Sequence, residues 1–529
     1  MKIVMAQINT IVGDLKGNTE KCIRHIKEAE KTHADVITFP ELTITEYPPE
    51  DLLFKTGFIE DNLKCLGKVV ENTGNATVIV GFADRKGKFL YNAAAVIRGK
   101  KICGIHRKVF LPNYGVFDEK RYFAAGKQFQ VFSEGGLKFG VSICEDIWNE
   151  ETIKQQAAGG AKAIFAVNAS PYSYGKIQKR EELITNLAKK YGIIIFYNNL
   201  VGGQDELIFD GHGIIVDEKG RIISRGKPFE EDLITHDSEK RNVTIKNCLM
   251  APEEEVYAAL KLSLRDYTRK NNFKKVVIAL SGGIDSSLVA AIAADAIGAQ
   301  NVLGVFMPSQ FSSRISGEDA DGLARNFGIK LLVIPIQRAL EFYTSLLANQ
   351  FAGLPRDITE ENLQARIRGN IIMAISNKLG HLVVSTGNKS EMSTGYATLY
   401  GDMAGGFALI KDVYKTLVYR LARHRNSVKP VIPQRILSRP PTAELKPDQK
   451  DQDTLPPYPL LDRILGSYIE EDKTLEEIVK EGFSRKLAEK VIKMVDSSEY
   501  KRRQAPIGPK ITLKSFGKDR RMPITNKYF

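Results

Sequence analysis

One strand–turn–helix segment decides the fold of the second half of the chain: Val276-Val277-Ile278-Ala279-Leu280, then Ser281-Gly282-Gly283-Ile284-Asp285-Ser286-Ser287. A strand that turns on two glycines into a helix is suited to hold phosphate, because glycine lets backbone N–H groups approach oxygen atoms and the first helical turn carries unpaired donors. Three serines add hydroxyl donors. Asp285 is out of place beside anions unless Mg²⁺ bridges its carboxylate to the phosphates. The segment therefore predicts an ATP site.

Strands and helices alternate on both sides of this segment. The pattern predicts a parallel sheet with helices on both faces and ligands at the carboxyl ends of its strands. The Pro-, Asp-, Lys- and Gln-rich stretch 438–459 is expected to be a long loop, and loops of that length are usually functional or disordered. The predicted strands are 276–280, 302–307, 330–335 and 381–386, and the predicted helices are 286–297, 317–327 and 361–379.

The first half of the chain also alternates strands with helices, and the pattern fades into polar residues between about 225 and 250. A helix with an acidic first turn is then expected after Pro252. We place a domain boundary here, which predicts domains 1–245 and 246–529. The predicted elements of the first domain are strands at 2–9, 35–39, 77–82, 93–98, 138–143, 163–168 and 193–198, helices at 18–31 and 178–191, and a hairpin at 213–224.

Composition narrows the class of protein. The chain has 529 residues, 43% hydrophobic and 26% charged, as expected for two or more globular domains without a membrane partner. The N-terminus lacks the long apolar stretch and cleavage site of a signal peptide. The cysteines contain no CxxC pair, which favours free thiols and a cytoplasmic location over disulfides or a zinc site. They are Cys22, Cys65, Cys103, Cys144 and Cys248.

The net charge of +13 and a basic C-terminal tail are compatible with nucleic-acid binding. The tail, which includes Lys501-Arg502-Arg503, Lys510 and Lys514, also contains prolines, glycines and hydrophobic residues. No RNA- or DNA-binding motif accompanies it, and charge alone supplies only non-specific affinity. We expect small-molecule partners and no nucleic acid.

The Ser-Gly-Gly loop is not a Walker P-loop, because no lysine follows its glycines. It resembles the loop of the PP-loop ATP pyrophosphatases, which release AMP. Further segments resemble the NAD⁺ synthetases, which adenylate deamido-NAD⁺ and displace AMP with ammonia: MPSQFSSRISGEDA at 307–320, NLQARIRGN at 362–370, STGNKSE at 385–391 and PTAEL at 441–445. The resemblance implies a Rossmann-like, adenine nucleotide alpha hydrolase-like domain.

The same resemblance assigns roles to residues of the second domain. Lys389 is a further candidate cation for the departing pyrophosphate. ATP binding is implied for Leu280, Ser281, Gly282, Gly283, Ile284, Asp285, Ser286, Ser287, Thr386, Lys415 and Thr442, and Mg²⁺ binding for Asp285 and Glu391. Deamido-NAD⁺ binding is implied for Asn362, Arg366, Glu391, Tyr396, Ala397, Thr398, Leu399 and Lys501.

In the first domain, Cys144 follows a predicted strand, and Glu41 follows another. A cysteine needs a base and a cation to react, and Glu41 and Lys108 are candidates for both. FPEL at 39–42, RKVFLPNYGVFDEKRYF at 107–123 and SICEDIW at 142–148 resemble the three signature segments of the nitrilase superfamily. This implies an αββα sandwich, a Glu41–Lys108–Cys144 triad supported by Glu119, and glutamine binding by Tyr114, Ser170 and Lys176.

Together the two halves resemble the glutamine-dependent NAD⁺ synthetases, in which glutamine, ATP and deamido-NAD⁺ are substrates. The resemblance implies a homo-oligomer, either a dimer through the synthetase domain or a higher assembly such as an octamer. Two alternatives stay open: another adenylating glutamine amidotransferase, and a PP-loop tRNA-modifying enzyme.

Overall fold

The computed structural model describes residues 1–134, 136–239 and 249–528. The chain divides into two units, Met1–Met250 and Ala251–Phe529. The predicted boundary between residues 245 and 246 lies outside the described residues, as does Cys248. In the described part of the chain, no helix combines the length and apolar character needed to cross a bilayer.

The first unit contains two six-stranded sheets and a small hairpin formed by β10 and β11. Its strands are β1 (Lys2–Gln7), β2 (Val36–Thr38), β3 (Thr77–Lys86), β4 (Phe89–Arg98), β5 (Lys101–Arg107), β6 (Val131–Glu134), β7 (Leu137–Ile143), β8 (Ala163–Asn168), β9 (Ile194–Asn199), β10 (Val201–Gln204), β11 (Leu207–Asp210), β12 (Ile214–Val216), β13 (Ile222–Arg225) and β14 (Asp232–Asp237). Its helices are α1 (Leu15–Lys31), α2 (Thr56–Glu71), α3 (Glu145–Trp148), α4 (Glu150–Ala158) and α5 (Lys176–Tyr191).

The strand orders are β14-β1-β2-β3-β4-β5 and β13-β12-β9-β8-β7-β6. The inner strands of each sheet are parallel and the outer pairs antiparallel. Met5 and Ile79 of one sheet pack with Val141 and Phe165 of the other, so the two sheets face each other across a shared core. The outer face of the first sheet packs on α1 and α2, and that of the second on α4 and α5. The predicted αββα sandwich is confirmed.

The second unit is built on one parallel sheet. Its strands are β15 (Val276–Ala279), β16 (Val302–Phe306), β17 (Lys330–Val333), β18 (Leu382–Ser385) and β19 (Phe407–Ala408). Its helices are α6 (Pro252–Lys270), α7 (Ile284–Ile297), α8 (Arg314–Phe327), α9 (Gln337–Leu346), α10 (Ile358–Leu379), α11 (Lys389–Thr394), α12 (Lys415–Val428), α13 (Gln434–Ser438), α14 (Tyr458–Leu465), α15 (Leu475–Lys480), α16 (Arg485–Asp496) and α17 (Glu499–Arg502).

The strand order is β17-β16-β15-β18-β19, so β15, the first strand of this unit in the chain, is the central strand of the sheet. One face packs on α9 and α10 through Val277, Ile336 and Ile367. The other is covered by α7, which contacts α6 and α12. The doubly wound fold is confirmed, and the strand order reverses at β15, with β16 and β17 on one side of it and β18 and β19 on the other. Such a reversal opens a crevice at the carboxyl ends of the strands, where the Ser-Gly-Gly loop lies.

The basic C-terminal tail folds onto the second unit. Asp412 accepts hydrogen bonds from the backbone N–H groups of Ile511 and Thr512, both at 2.7 Å. Lys510 pairs with Asp519, and Lys514 pairs with Asp472. Part of the positive charge of the tail is therefore balanced within the unit.

Candidate active sites

Cys144 lies at the turn between β7 and α3, at the carboxyl edge of the second sheet of the first unit. Its φ of +46° is in the left-handed region, which costs a non-glycine residue free energy and is frequent at functional turns. The backbone N–H of Cys144 donates to the carbonyl of Val167 in β8 at 3.1 Å, which holds the turn against the sheet. Its side chain is buried. Burial and the nearby Glu41 carboxylate raise the pKa of the thiol well above its ordinary value.

The other predicted triad members meet around one buried lysine. The Nζ atom of Lys108 donates to Oε1 of Glu41 and to Oε1 of Glu119, each at 2.7 Å. Asn92 also donates to Oε1 of Glu41 at 2.7 Å, and the backbone N–H of Ala169 donates to Oε2 at 2.9 Å. Glu41 and Lys108 both act on the pKa of the Cys144 thiol, so the structure brings the predicted nucleophile, base and cation together.

The protonation of this cluster follows from burial and pairing. Burial lowers the pKa of Lys108, but the charges of Glu119 and Glu41 outweigh it and hold that pKa well above its ordinary value. Burial raises the pKa of Glu119 to about 7, against the opposing effect of Lys108. Tyr47 donates to Oε1 of Glu119 at 3.0 Å. Lys108 therefore stays an ammonium at neutral pH.

Asp146, which the sequence did not predict as a site residue, connects the turn at Cys144 to the loop that carries Lys108. Its Oδ1 atom accepts hydrogen bonds from the backbone N–H groups of Val109 and Phe110, at 3.0 and 2.8 Å. Its Oδ2 atom accepts from the N–H of Ile143 at 3.2 Å and lies 3.4 Å from Nε2 of the buried His106. One carboxylate thus joins the residues flanking Lys108 to the residues flanking Cys144.

The three predicted glutamine-binding residues lie on the loops around this cluster. The hydroxyl of Tyr114 donates to the carboxylate of Glu145, the residue after Cys144, at 2.9 Å. Ser170 follows Ala169, the residue bonded to Glu41, and its N–H donates to Asn199 at 2.9 Å. The Nζ atom of Lys176 donates to the carbonyl of Pro171 at 2.8 Å. The predicted binding roles remain predictions.

In the second unit, the Ser-Gly-Gly loop is shaped by its own hydroxyls. Ser286 and Ser287 donate to the carbonyl of Gly283 at 3.1 and 2.8 Å. The N–H of Gly283 donates to Oγ of Ser281 at 3.2 Å. Gly282 has a φ of +79°, and a Cβ atom there would lie 2.2 Å from the carbonyl oxygen of Ser316. Only glycine fits this position, which keeps the loop closed against α8.

The loop lines a cleft of about 290 Å³ at the crevice beside β15. Residues 281–286 line it, as do Thr386, Glu391, Lys415 and Thr442. Leu280 instead lies over Gly304 in the sheet, since a Cβ atom on Gly304 would come within 2.5 Å of it. Ser287 binds the carbonyl of Gly283 inside the first turn of α7. These two predicted ATP contacts lie behind the cleft surface.

A second buried lysine lies in this cleft. The Nζ atom of Lys415 donates to Oδ2 of Asp285 at 2.5 Å and to Oε1 of Glu391 at 3.2 Å. Asn388 donates to Oδ1 of Asp285 at 2.9 Å. Burial raises the pKa of Glu391 to about 8, assisted by the nearby Asp285 and opposed by Lys415.

The two carboxylates fit the expected Mg²⁺ site in kind and placement. Asp285 and Glu391 come from different elements, α7 and α11, yet both contact one ammonium group, so both reach a common cation position. Mg²⁺ takes few protein carboxylates and completes its shell with water and phosphate oxygens. In the described part of the chain, no group of three or more His, Cys, Asp or Glu side chains is arranged to hold a metal ion. The metal role of this pair remains a prediction.

The predicted deamido-NAD⁺ residues gather around the loop 395–402. Thr398 donates from Oγ1 to Asn362 on α10 at 2.8 Å, and Arg366 donates from Nε to the carbonyl of Leu399 at 3.3 Å. Lys501 donates to the carbonyls of Gly395 and Ala397 at 2.8 and 2.9 Å. Tyr396 lines the first cleft, whereas Arg366 and Leu399 line a second cavity of about 670 Å³. The two cavities share Gly369 and Ala404.

Lys389 is placed differently from the expectation that it assists pyrophosphate departure. Its side chain is fully buried, and its ammonium contacts Asp412 and Glu470, both at 2.9 Å. Its Nζ atom also lies over the aromatic rings of Tyr414 and Phe516, 4.7 and 6.0 Å from their centroids. Lys389 lies outside the cleft lining, so the expectation is wrong: this lysine anchors the C-terminal tail instead.

Five charged residues that line the cleft were also missed: Arg368, Asp402, Arg439, Glu444 and Asp451. Glu444 accepts hydrogen bonds from Arg439 at 2.5 Å and from the hydroxyl of Ser316 at 2.8 Å, which closes the loop 438–459 over the Ser-Gly-Gly loop. Asp451 accepts from Tyr458 at 2.8 Å. Arg368 donates from Nε to the carbonyl of Met307 at 2.9 Å.

Comparison with known proteins identifies the family. The carbon-nitrogen hydrolase family model matches residues 2–243, and the NAD synthase model matches residues 256–505. The glutamine-dependent NAD(+) synthetase of Aquifex aeolicus is 48% identical over 567 residues, covering 100% of each chain. The chain belongs to the glutamine-dependent NAD⁺ synthetase family. The Thermotoga maritima member is 49% identical, covering 100% of this chain and 99% of its own.

Two solved structures of glutamine-dependent NAD+ synthetases match nearly the whole chain. The glutamine-dependent NAD+ synthetase from Acinetobacter baumannii, solved in complex with ADP, is 44% identical and superposes with a TM-score of 0.82, covering 99% of this chain and 98% of its own. The Cytophaga hutchinsonii structure is 24% identical with a TM-score of 0.88 over the same shares, and it shares the fold. The matches cover both halves of the chain. They therefore favour this family over another adenylating glutamine amidotransferase and over a PP-loop tRNA-modifying enzyme.

Proposed function

We propose that this chain converts deamido-NAD⁺, ATP and glutamine to NAD⁺, AMP, pyrophosphate and glutamate. The proposal rests on one observation above all: a buried Glu41–Lys108–Cys144 cluster and a Ser-Gly-Gly nucleotide cleft occur in one chain of this family. The first cluster has the groups for cleaving an amide, and the second has the groups for activating a carboxylate with ATP.

In the first unit, Cys144 attacks the side-chain amide of glutamine. Because the pKa of the thiol is raised, the free enzyme holds the protonated thiol, and Glu41 takes its proton as the sulfur attacks. The Lys108 ammonium stabilises the oxyanion that develops on the amide oxygen. Ammonia leaves with a proton from Glu41, and water then hydrolyses the thioester with Glu41 as the base. Glu119 keeps Lys108 charged and fixed in position.

In the second unit, a carboxylate oxygen of deamido-NAD⁺ attacks the α-phosphorus of ATP. Residues 281–286 line the cleft, so the loop at the start of α7 is placed where phosphate would bind. Asp285 and Glu391 would hold Mg²⁺, which would neutralise the leaving pyrophosphate. Lys415 supplies a further positive charge beside them. Ammonia then displaces AMP from the acyl-adenylate.

We also propose a homo-oligomer in the cytoplasm. Supporting the assembly, Phe342 and Leu346 on α9 and Leu354 in the segment after it are each more than half exposed. Several large exposed apolar residues within one short segment mark a candidate subunit interface. The location is supported by Cys22, Cys65, Cys103 and Cys144, which are free thiols. Light scattering on the purified protein tests the assembly, and a monomeric mass would contradict it.

Product analysis tests the reaction. The protein is incubated with deamido-NAD⁺, Mg·ATP and glutamine labelled with ¹⁵N in its side-chain amide. The expected products are NAD⁺ carrying ¹⁵N, glutamate, AMP and pyrophosphate in equal amounts. Formation of ADP and phosphate, or NAD⁺ without the label, would contradict the proposal.

A further inference from the structure

The charges that line the nucleotide cleft are unequally balanced. In the described part of the chain, three basic side chains line it: Lys415, Arg439 and Arg368. Lys415 contacts both Asp285 and Glu391, and Arg439 contacts Glu444 at 2.5 Å. The substrates of this cleft are anions, so the basic group without such a partner is of most interest.

Arg368 is that group. Its Nε atom donates to the carbonyl of Met307, and among the described residues its guanidinium forms no ion pair. It is largely buried, and burial lowers its pKa to about 10, with Glu444 as the acid that opposes this shift. Glu444 is itself held by Arg439. The guanidinium lines the cleft with terminal N–H groups that can donate to a ligand, and a phosphoryl group matches its planar fork.

The position of Arg368 joins the two halves of the substrate site. Met307, the residue that follows β16, lines the cleft together with the Ser-Gly-Gly loop. Gly369, the next residue on α10, packs against the 395–402 loop: a Cβ atom there would lie 2.7 and 2.9 Å from the carbonyl oxygens of Tyr400 and Gly401. Arg368 therefore borders both the predicted ATP contacts and the predicted deamido-NAD⁺ contacts.

We propose that Arg368 is a catalytic residue of the adenylation step and that its terminal N–H groups bind the non-bridging oxygens of the α-phosphoryl group. The inference rests on the proposed function. In that step a carboxylate oxygen bonds to the α-phosphorus, and the bond from phosphorus to the α,β-bridging oxygen breaks. Pyrophosphate leaves with the electron pair. The α-phosphoryl group stays anionic throughout, and Arg368 stabilises it as the reacting oxygens approach and leave.

The test uses Arg368→Ala and Arg368→Lys in the full chain, with ammonia as the nitrogen source. Arg368→Ala is expected to lower kcat by about 100- to 1,000-fold, because the α-phosphoryl group loses a hydrogen-bond donor in the transition state. The Kd for a non-hydrolysable ATP analogue should change less than about threefold, since the effect belongs to the transition state. Lysine should restore only part of kcat, because it lacks the guanidinium fork. Methylguanidine should raise the rate of Arg368→Ala but not that of the wild type.

The matched control is Arg325→Ala on α8, whose guanidinium is exposed and paired with Asp321. It should keep the wild-type kcat. Binding of the ATP analogue shows that the nucleotide cleft of each variant is folded. The inference is overturned by a kcat of Arg368→Ala within about threefold of the wild type, by a loss of ATP affinity as large as the loss of kcat, or by no response to methylguanidine. A wild-type protein that makes no NAD⁺ would instead overturn the proposed function itself.

Discussion

Each unit holds a buried lysine between two carboxylates, and the two clusters differ in how far solvent reaches them. In the first unit, Lys108 and Glu41 are 0% exposed and Glu119 is 4% exposed. In the second, Lys415 is 2% exposed, but Asp285 and Glu391 are each 18% exposed and line a cleft. The same arrangement of charges therefore occurs once in a closed site and once in an open one.

The difference follows from the chemistry that each site performs. A closed cluster keeps the same cation through the whole reaction, since leaving a buried carboxylate unpaired costs several kcal/mol, on the order of 3–5 for one broken pair. An open cluster can exchange its cation, because water, Mg²⁺ and phosphate reach it. We therefore interpret Lys108 as a permanent part of the glutaminase site. We propose that Lys415, which contacts both carboxylates of the open cluster, holds them until nucleotide and metal bind.

Replacing the closed lysine tests this interpretation with the largest expected effect. Lys108→Met should lower glutamine hydrolysis at least about 1,000-fold, because the oxyanion loses its ammonium. It should also lower the free energy of unfolding of the first unit by about 3–5 kcal/mol, because Glu41 and Glu119 lose their buried partner. Glutaminase assays and urea unfolding measure the two effects. The exposed Lys64→Met is the control, and an unchanged stability of Lys108→Met would contradict a closed cluster.

Replacing the open lysine should affect activity strongly and stability less. Lys415→Met is expected to lower ammonia-driven NAD⁺ synthesis about 100- to 1,000-fold, since the site loses a cation beside the leaving pyrophosphate. Its stability should fall by only about 1–3 kcal/mol, because the carboxylates can take up water or a proton. Adding Mg²⁺ should raise the melting temperature of this variant more than that of the wild type. Equal responses to Mg²⁺ would argue that the carboxylate pair does not bind the ion.

Asp146 tests how the closed site is held together. Asp146→Asn keeps the size of the side chain but weakens its bonds to Val109 and Phe110. A small displacement of Lys108 relative to Cys144 is expected to lower the kcat of glutamine hydrolysis by about 10- to 100-fold, with little change in KM. Ammonia-driven synthesis should be unaffected. The exposed Asp61→Asn serves as the control, and a KM effect without a kcat effect would contradict the positioning role.

The smallest expected effect is on the pH dependence of stability. Burial raises the pKa of Glu391 from 4.5 to about 8, so the folded protein favours the protonated form. The stability that the folded protein gains from protonated Glu391 is fully present below pH 4.5 and is lost as the pH rises through 8. In EDTA and without nucleotide, the wild type should therefore lose melting temperature between pH 5 and 8.5 relative to Glu391→Gln. A difference between the two proteins that stays constant over this range would contradict the shifted pKa.

Much of the fold could be predicted from periodicity. The strand predicted at 163–168 coincides with β8, and the helix predicted at 286–297 forms the body of α7. Helices and strands in which polar residues interrupt the apolar pattern were missed. The buried face of α2 includes Asn62, which donates to the carbonyl of Ala83 and interrupts the apolar pattern. β5 is an edge strand with lysine and arginine at its ends.

The candidate sites were predictable where residues follow strand ends within recognisable motifs, as Cys144, Glu41 and the Ser-Gly-Gly loop do. Asp146 and Arg368 could not be distinguished from solvated surface charges, because their roles depend on contacts with Val109 and Met307 on other elements. Lys389 was misjudged for the same reason. Its proximity in sequence to Glu391 indicated the cleft, but the C-terminal tail folds back and surrounds its ammonium.

The most direct test of two separate sites in one enzyme is the Cys144→Ala variant, assayed with each nitrogen source. Removing the thiol should abolish NAD⁺ synthesis from glutamine, while the kcat for synthesis from ammonia stays within about twofold of the wild type, because the nucleotide cleft lies wholly within residues 279–451. If Cys144→Ala still uses glutamine, or if the folded variant loses synthesis from ammonia as well, the account is contradicted.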